Sequence, residues 1–317
     1  MIGSQDVSVV ICTYDEKRWN GLVRAVSSVV NTSAANGASG PGEVIVVADH
    51  NPGLQGRVED EVDGVRTVPN TGRQGLASAR NCGIAAACRP VVAFLDDDAV
   101  ADPDWVPALV GPYRDPAVLG VGGKILPAWE EGRRPRWWPE EFDWVVGCTY
   151  RGMPDRRHPV RNLIGANMSF RKDVFDEVGA FLPEMGRLGT RPVGCEETEF
   201  CIRVRQRWPE CQIVYDPAAV VHHDVPRARA SWSYFRRRCF AEGQSKAQVA
   251  DARGAGDALS TERSYVARTL PRGMARGIKD AVVDREFEAL GRTGSIAAGV
   301  VVAAAGYAGE ALRKGKA

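Results

Sequence analysis

The segment Phe94-Leu95-Asp96-Asp97-Asp98 ends an apolar run in three consecutive acids. Concentrating that much negative charge at a strand end is costly unless a cation sits nearby. Carboxylate oxygens are hard ligands that suit Mg2+ or Mn2+, and such an ion could bridge a diphosphate and neutralise a leaving group. A solvated acidic turn before the helix at Pro103 is the simpler alternative. Upstream stands Asn70-Thr71-Gly72-Arg73-Gln74-Gly75-Leu76-Ala77-Ser78-Ala79-Arg80-Asn81-Cys82-Gly83. Glycines beside a helix start, Gly75 among them, let backbone amides approach a phosphate, and Arg80 and Asn81 could then reach the same ligand. Further on, Gly194-Cys195-Glu196-Glu197-Thr198-Glu199 opens a helix with three acids. Like-charge crowding beside Asp98 could raise one of them into the range of a general base, whereas the helix dipole alone also favours acids there. Glu196 and Glu197 point in different directions, so they cannot both face an acceptor. His222 and His223 are adjacent on a strand, so only one of them can join a cation site.

These groups need elements to position them. Val7–Cys12, Glu43–Ala48 and Pro90–Leu95 read as buried strands, with helical spacing at Gly21–Val30 and Gly75–Ala87 between them. That alternation predicts a parallel α/β sheet, in which ligands sit at the carboxyl ends of the strands. Each strand is followed at once by polar residues: Thr13-Tyr14-Asp15, Asp49-His50-Asn51 and Asp96-Asp97-Asp98. The three loops should converge on one crevice. Pro127 to Pro159 reads as an irregular insertion rich in Trp, Pro and Arg. Helices follow at Lys172–Val178, Glu196–Trp208 and Trp232–Ala250, and a short strand ends at His223.

Five segments occur in order: Val9-Val10-Ile11-Cys12-Thr13-Tyr14, the stretch from Gly72 to Gly83, Phe94 to Asp98, Gly194 to Arg203, and Pro217 to His223. Together they resemble the family 2 glycosyltransferases of the GT-A fold over about residues 7 to 245. The resemblance implies a mixed, mostly parallel central sheet flanked by helices. A nucleotide-binding half at 1–125 and an acceptor half at 126–250 form the catalytic domain, and a helical extension covers 251–317. It implies inverting, single-displacement transfer from a nucleoside-diphosphate sugar, with a UDP-sugar as the default donor. The acceptor would be a glycan, a lipid-linked glycan or a small molecule. Thr13, Tyr14, Asp15, Asp49, Gly75, Arg80, Asp96, Asp97 and Asp98 are expected on the donor side. Asp98 and His222 are expected to hold Mn2+ or Mg2+, and Glu197 to be the base. Glu196, Trp137 and Trp138 are expected on the acceptor side, since aromatic faces stack on sugars. Two departures stand out: Ala48 replaces an acid, and Glu197 replaces the commoner Asp. Gln206-Arg207-Trp208 is too compressed for the motif of processive synthases, so one sugar is expected per encounter.

Composition narrows the alternatives. Formal net charge is +1 over 317 residues, which argues against a nucleic-acid binder. The eight cysteines form no CxxC pair and are expected to be reduced thiols in a cytoplasmic protein. A nucleotidyltransferase would need a glycine-rich basic loop after the first strand, where Thr13-Tyr14-Asp15-Glu16 stands instead. A non-catalytic binding module of the same fold would be expected to lose the acids that are present here. No stretch reads as long and apolar enough for a transmembrane helix. The apolar run from Ile296 to Ala308, with Arg292 before it and Arg313, Lys314 and Lys316 after it, could lie on the inner face of a membrane, pack on the domain or form a dimer contact.

Overall fold

The computed structural model describes residues 2–31, 40–185 and 194–314. By packing, the chain divides into two units. The first comprises Met1–Leu126, Pro154–Arg191 and Glu196–His223, and the second Pro127–Met153, Pro192–Cys195 and Asp224–Ala317.

The first unit is built on β1 (Val7–Thr13), β2 (Glu43–Ala48), β3 (Arg66–Pro69) and β4 (Val91–Asp96), which are parallel. The β-branched runs of β1, β2 and β4 are buried on both faces, as a helix-covered parallel sheet requires, and β3 lies at the more exposed edge. Helices α1 (Trp19–Val30), α2 (Pro52–Glu61) and α3 (Leu76–Ala86) lie between consecutive strands. Helix α2 was not anticipated, although its start is marked by Pro52 at the first position and by Asn51, whose side chain accepts from the Leu54 amide at 3.0 Å. The register pairs Thr13 with Ala48 and Cys12 with Asp96. The three polar loops therefore do leave one edge of the sheet.

Beyond β4 the sheet turns mixed. β5 (Ala99–Ala101) and helix α4 (Trp105–Val110) follow the acids, and then come β6 (Val118–Trp129), β7 (His158–Pro159) and β8 (Asn167–Arg171). Helices α5 (Lys172–Val178) and α6 (Glu196–Arg207) precede β9 (Gln212–Val225). The strand order is β3-β2-β1-β4-β8-β6-β9-β5, with β7 on β9. β8 runs antiparallel to β4, and β5 antiparallel to β9. The final strand is far longer than the short one expected, because it passes through Pro217. The Asp216 carboxylate accepts the Ala218 amide there at 3.1 Å. On one side of the sheet Phe94, Phe170, Phe175, Phe181 and Phe200 form an aromatic core, with Phe175 stacked on Phe200 at 4.9 Å.

In the second unit, α7 (Trp232–Arg253) and α8 (Leu270–Val282) are joined by short turns, and α9 (Ala289–Lys314) packs against both. A Cβ on Gly243 would stand 2.0 Å from the Ala303 carbonyl, and one on Gly306 would stand 2.1 Å from the Phe240 carbonyl. The backbones of α7 and α9 are therefore in contact, which only glycine permits. Of the segment read as an irregular insertion, Pro127–Met153 belongs to this unit and residues 154–159 to the first. Trp138 is fully buried between Trp129 and Phe235, and its indole donates to Asp143 at 3.1 Å. The expectation for the tail is corrected. Helix α9 starts at Ala289, runs through Gly291 and Gly294 and reaches 26 residues. By length and composition Ala289–Arg313 is long and apolar enough to cross a membrane.

Asn167 ties the sheet together in the first unit. Its amide donates to the Lys124 and Ala219 carbonyls at 3.1 and 2.9 Å, and its oxygen accepts the Trp105 indole at 2.8 Å, while Asn167 itself has no exposure. Asn167→Ala should cost on the order of 3 kcal/mol, because it strands buried partners. Urea unfolding followed by tryptophan fluorescence measures this.

Candidate active site

The carboxyl edge of β1, β2 and β4 carries the candidate site. Asp96 ends β4, and Asp97 and Asp98 form the turn into β5. Pairing of β5 with β9 sets Ala99 opposite His223 and thereby brings that histidine beside Asp98. The Nε2 atom of His223 lies 3.1 Å from Asp98 Oδ1, and its side chain is buried. One ligand atom each from Asp96, Asp98 and His223 lies within 4.8 Å of the others. Two carboxylate oxygens and one imidazole nitrogen make a donor set that fits Mn2+ or Mg2+. The expectation for His222 is corrected. Alternation along β9 turns it to the other face, where it meets Asp102 at 3.0 Å and is nearly half exposed.

Arg18 was not foreseen. Asp15 caps the short 3-10 helix Glu16–Arg18, accepting the Lys17 amide at 3.0 Å, so its carboxylate serves the loop. This turn delivers the Arg18 guanidinium to Asp97 at 2.6 Å and to Asp98. Burial lowers the Arg18 pKa, but Asp98, Asp97 and Asp96 outweigh it and hold the group charged. Burial pushes the Asp97 carboxyl up to about 7, against Arg18 and the Thr13 hydroxyl, which favour the anion. Thr13 is thus buried against Asp97, while Tyr14 is exposed with Arg18 over its ring at 5.6 Å.

The glycine loop is held from within. Asp49 accepts the Asn70 amide at 2.6 Å and the Gly75 backbone amide at 2.9 Å. Gly75 has φ 134, a conformation that suits glycine, and it caps α3. Asn70 in turn accepts from the Gly72 amide and the Ser78 hydroxyl, at 3.0 and 3.1 Å. The Gly75 amide expected to meet a phosphate is therefore committed to Asp49.

Arg80 is 2% exposed. It donates to Glu196 at 2.7 Å, to Asp96 at 3.2 Å and to the Gly165 carbonyl at 3.0 Å. Burial opposes its charge, and Glu196, Asp96 and Glu197 restore it. Arg80 therefore braces Asp96 from behind, where a donor contact had been expected. Glu196, expected on the acceptor side, is locked in the same pair. Glu199 is engaged by Arg203 at 2.8 Å. Of the three acids, Glu197 alone is half-buried, and it lies close enough to Arg80 to act on its charge. Of the two expected tryptophans, Trp138 is wholly enclosed and cannot stack on a sugar. Trp137 is half-buried and lines a cavity of about 360 Å³ with Trp232, Gly291, Gly294, Ser295 and Ala298.

Removing the brace should be expensive. Arg80→Ala strands the Glu196 carboxylate and should destabilise the fold by roughly 3–5 kcal/mol. Arg80→Lys should recover only part, because a point charge cannot span three acceptors. Denaturant titration of both variants checks the order.

The sequence matches the family described as Glycosyl transferase family 2 over residues 8–179. The glucosyl-dolichyl phosphate glucuronosyltransferase of Haloferax volcanii is 36% identical over 244 residues, covering 76% of this chain and 76% of that protein. The pre-mycofactocin glycosyltransferase of Mycobacterium tuberculosis is 26% identical over 76% of this chain, which spans only 47% of that relative. Among solved structures, a mannosyltransferase of Pyrobaculum calidifontis in complex with GDP-Man and Mn2+ superposes with a TM-score of 0.59 at 18% identity. It covers 95% of this chain and 86% of its own. That likeness shows the fold, which is the GT-A architecture. The match over more than half of the chain and the relative at 36% identity make the assignment: the chain belongs to the family 2 glycosyltransferases.

Proposed function

We propose that the chain transfers one sugar per encounter from a nucleoside-diphosphate sugar to an acceptor hydroxyl, with inversion and with Mn2+ or Mg2+ as cofactor. The observation that carries this reading is the cluster of Asp96, Asp98 and His223 at the carboxyl edge of the parallel strands, with Glu197 nearby. A bound divalent ion would supply charge neutralisation for the diphosphate. Everything else falls to the chain. Asp96, Asp98 and His223 would hold the ion. Arg80 fixes Asp96. Arg18, the counterion of Asp97 and Asp98, would offer its charge to an incoming diphosphate. Glu197 accepts the proton of the acceptor hydroxyl as its oxygen bonds to the anomeric carbon. The bond from that carbon to the diphosphate oxygen breaks, and its electron pair leaves with the nucleoside diphosphate. Attack from the face opposite the leaving group inverts the anomeric centre.

UDP is the favoured nucleoside diphosphate. Among acceptors, a lipid-linked glycan is favoured by the relative whose name specifies a glucosyl-dolichyl phosphate. A cytoplasmic site at the inner face of a membrane goes with that acceptor. A non-catalytic module of the same fold would bind the donor without releasing nucleoside diphosphate.

Calorimetric titration of UDP, TDP, GDP and CDP, with and without Mn2+ or Mg2+, should show cation-dependent binding of one diphosphate. His223→Ala should weaken that binding by at least about ten-fold, while His222→Ala leaves it unchanged. Glu197→Gln should keep donor binding and lower turnover by roughly 100-fold or more. Full turnover in Glu197→Gln would remove it as the base.

A further inference from the structure

Helix α9 presents an unusual outer face. A solvent-facing helix carries polar side chains on the side away from its neighbours. Here the inner face takes Ile296 beside Gly273 of α8, Gly299 against Phe142 and Gly306 against α7, and even Glu310 is turned inward to Gln248 at 3.0 Å. The outer face shows Leu290, Ala297, Val301, Ala304, Ala308 and Leu312 at helical spacing, all exposed. No charged residue occurs from 293 to 309. At about 1.5 Å per residue the stripe is roughly 33 Å long.

What flanks the stripe indicates what covers it. Phe240 of α7 is 41% exposed, and its carbonyl is the group against which Gly306 packs. On the same helix Arg236 and Arg237 are exposed. At the other end Trp232 is 39% exposed and stands edge-to-face on Trp137, which packs beside Gly291. Arg313 closes the stripe. An uncharged stripe edged by tryptophan and arginine matches the layering of a bilayer surface, apolar below and anionic at the headgroups. A two-fold pairing of copies through this face would bring the same basic residues together from both sides.

We propose that the outer face of α9, with Phe240 and Trp232 beside it, docks in the plane of an anionic lipid bilayer. The proposal goes beyond the transfer reaction, and it is read without any donor, so it stands or falls independently of that reading. The experiment is flotation of the full chain with phosphatidylcholine vesicles, plain or carrying about one third phosphatidylglycerol. Wild-type protein should float with the anionic vesicles. The double variant Arg236→Glu, Arg237→Glu should bind them at least about ten-fold more weakly. Val301→Glu places a charge on the stripe and should also lose at least about ten-fold. Residue 301 is exposed, so this variant should fold, which circular dichroism and an unchanged unfolding midpoint verify. Wild-type protein left unfloated by anionic vesicles would overturn the proposal. So would Val301→Glu floating as well as wild type. A dimer seen by light scattering that Val301→Glu dissociates, without vesicle binding, would assign the face to a second copy instead.

Discussion

Three carboxylates on consecutive residues at the end of β4 impose the constraint that organises the first unit. Charges so close together must be balanced, and the fold brings a partner from each direction. Arg18 comes from the turn after β1, Arg80 from α3, and His223 across the β5–β9 ladder. Each requires a different piece of topology. The parallel pairing of β1 with β4 brings the Arg18 turn alongside. The antiparallel return of β9 brings the histidine. Even so, Asp97 remains a poor acid, because burial outweighs its partners. A site that keeps this tension is one whose charge balance an additional ion would improve.

The same economy governs the loops. Asp49 and Asn70 use their polar atoms on the chain itself, so the turn before α3 is fixed before any ligand arrives. On α6, Glu196 and Glu199 lie on the buried face with arginine partners, and Glu197 stands off that face. In the proposed reaction Glu197 is the base, while its neighbours Glu196 and Glu199 hold arginines. Pre-organisation of this kind keeps reacting groups in place at little entropic cost during turnover.

The strands were legible because a buried parallel sheet leaves β-branched runs that end in polar loops. Ligand partners were less so. The alternation Ala219, Val221, His223, Val225 marks His223 as inward, yet a motif match favoured His222. Arg80 and Glu196 looked like ligand contacts, since the sequence does not reveal that they meet each other 116 positions apart. Arg18 belongs to no pattern; only the turn capped by Asp15 aims it. Trp138 and Trp137 differ in burial although adjacent, and composition cannot separate them. The tail helix was read short because only its apolar run, Ile296 to Ala308, stands out in composition, whereas tertiary packing carries the helix beyond both ends.

The link between Arg80 and Glu196 also bears on how this sequence can change over time. Neither residue is replaceable alone without leaving a buried charge, while an apolar pair of matching volume could replace both. Asp96 shares the same guanidinium, so such a double exchange would free it as well. Positions 80, 96 and 196 are therefore bound to vary as a set, and a homologue that has lost one member should show compensation at the other two.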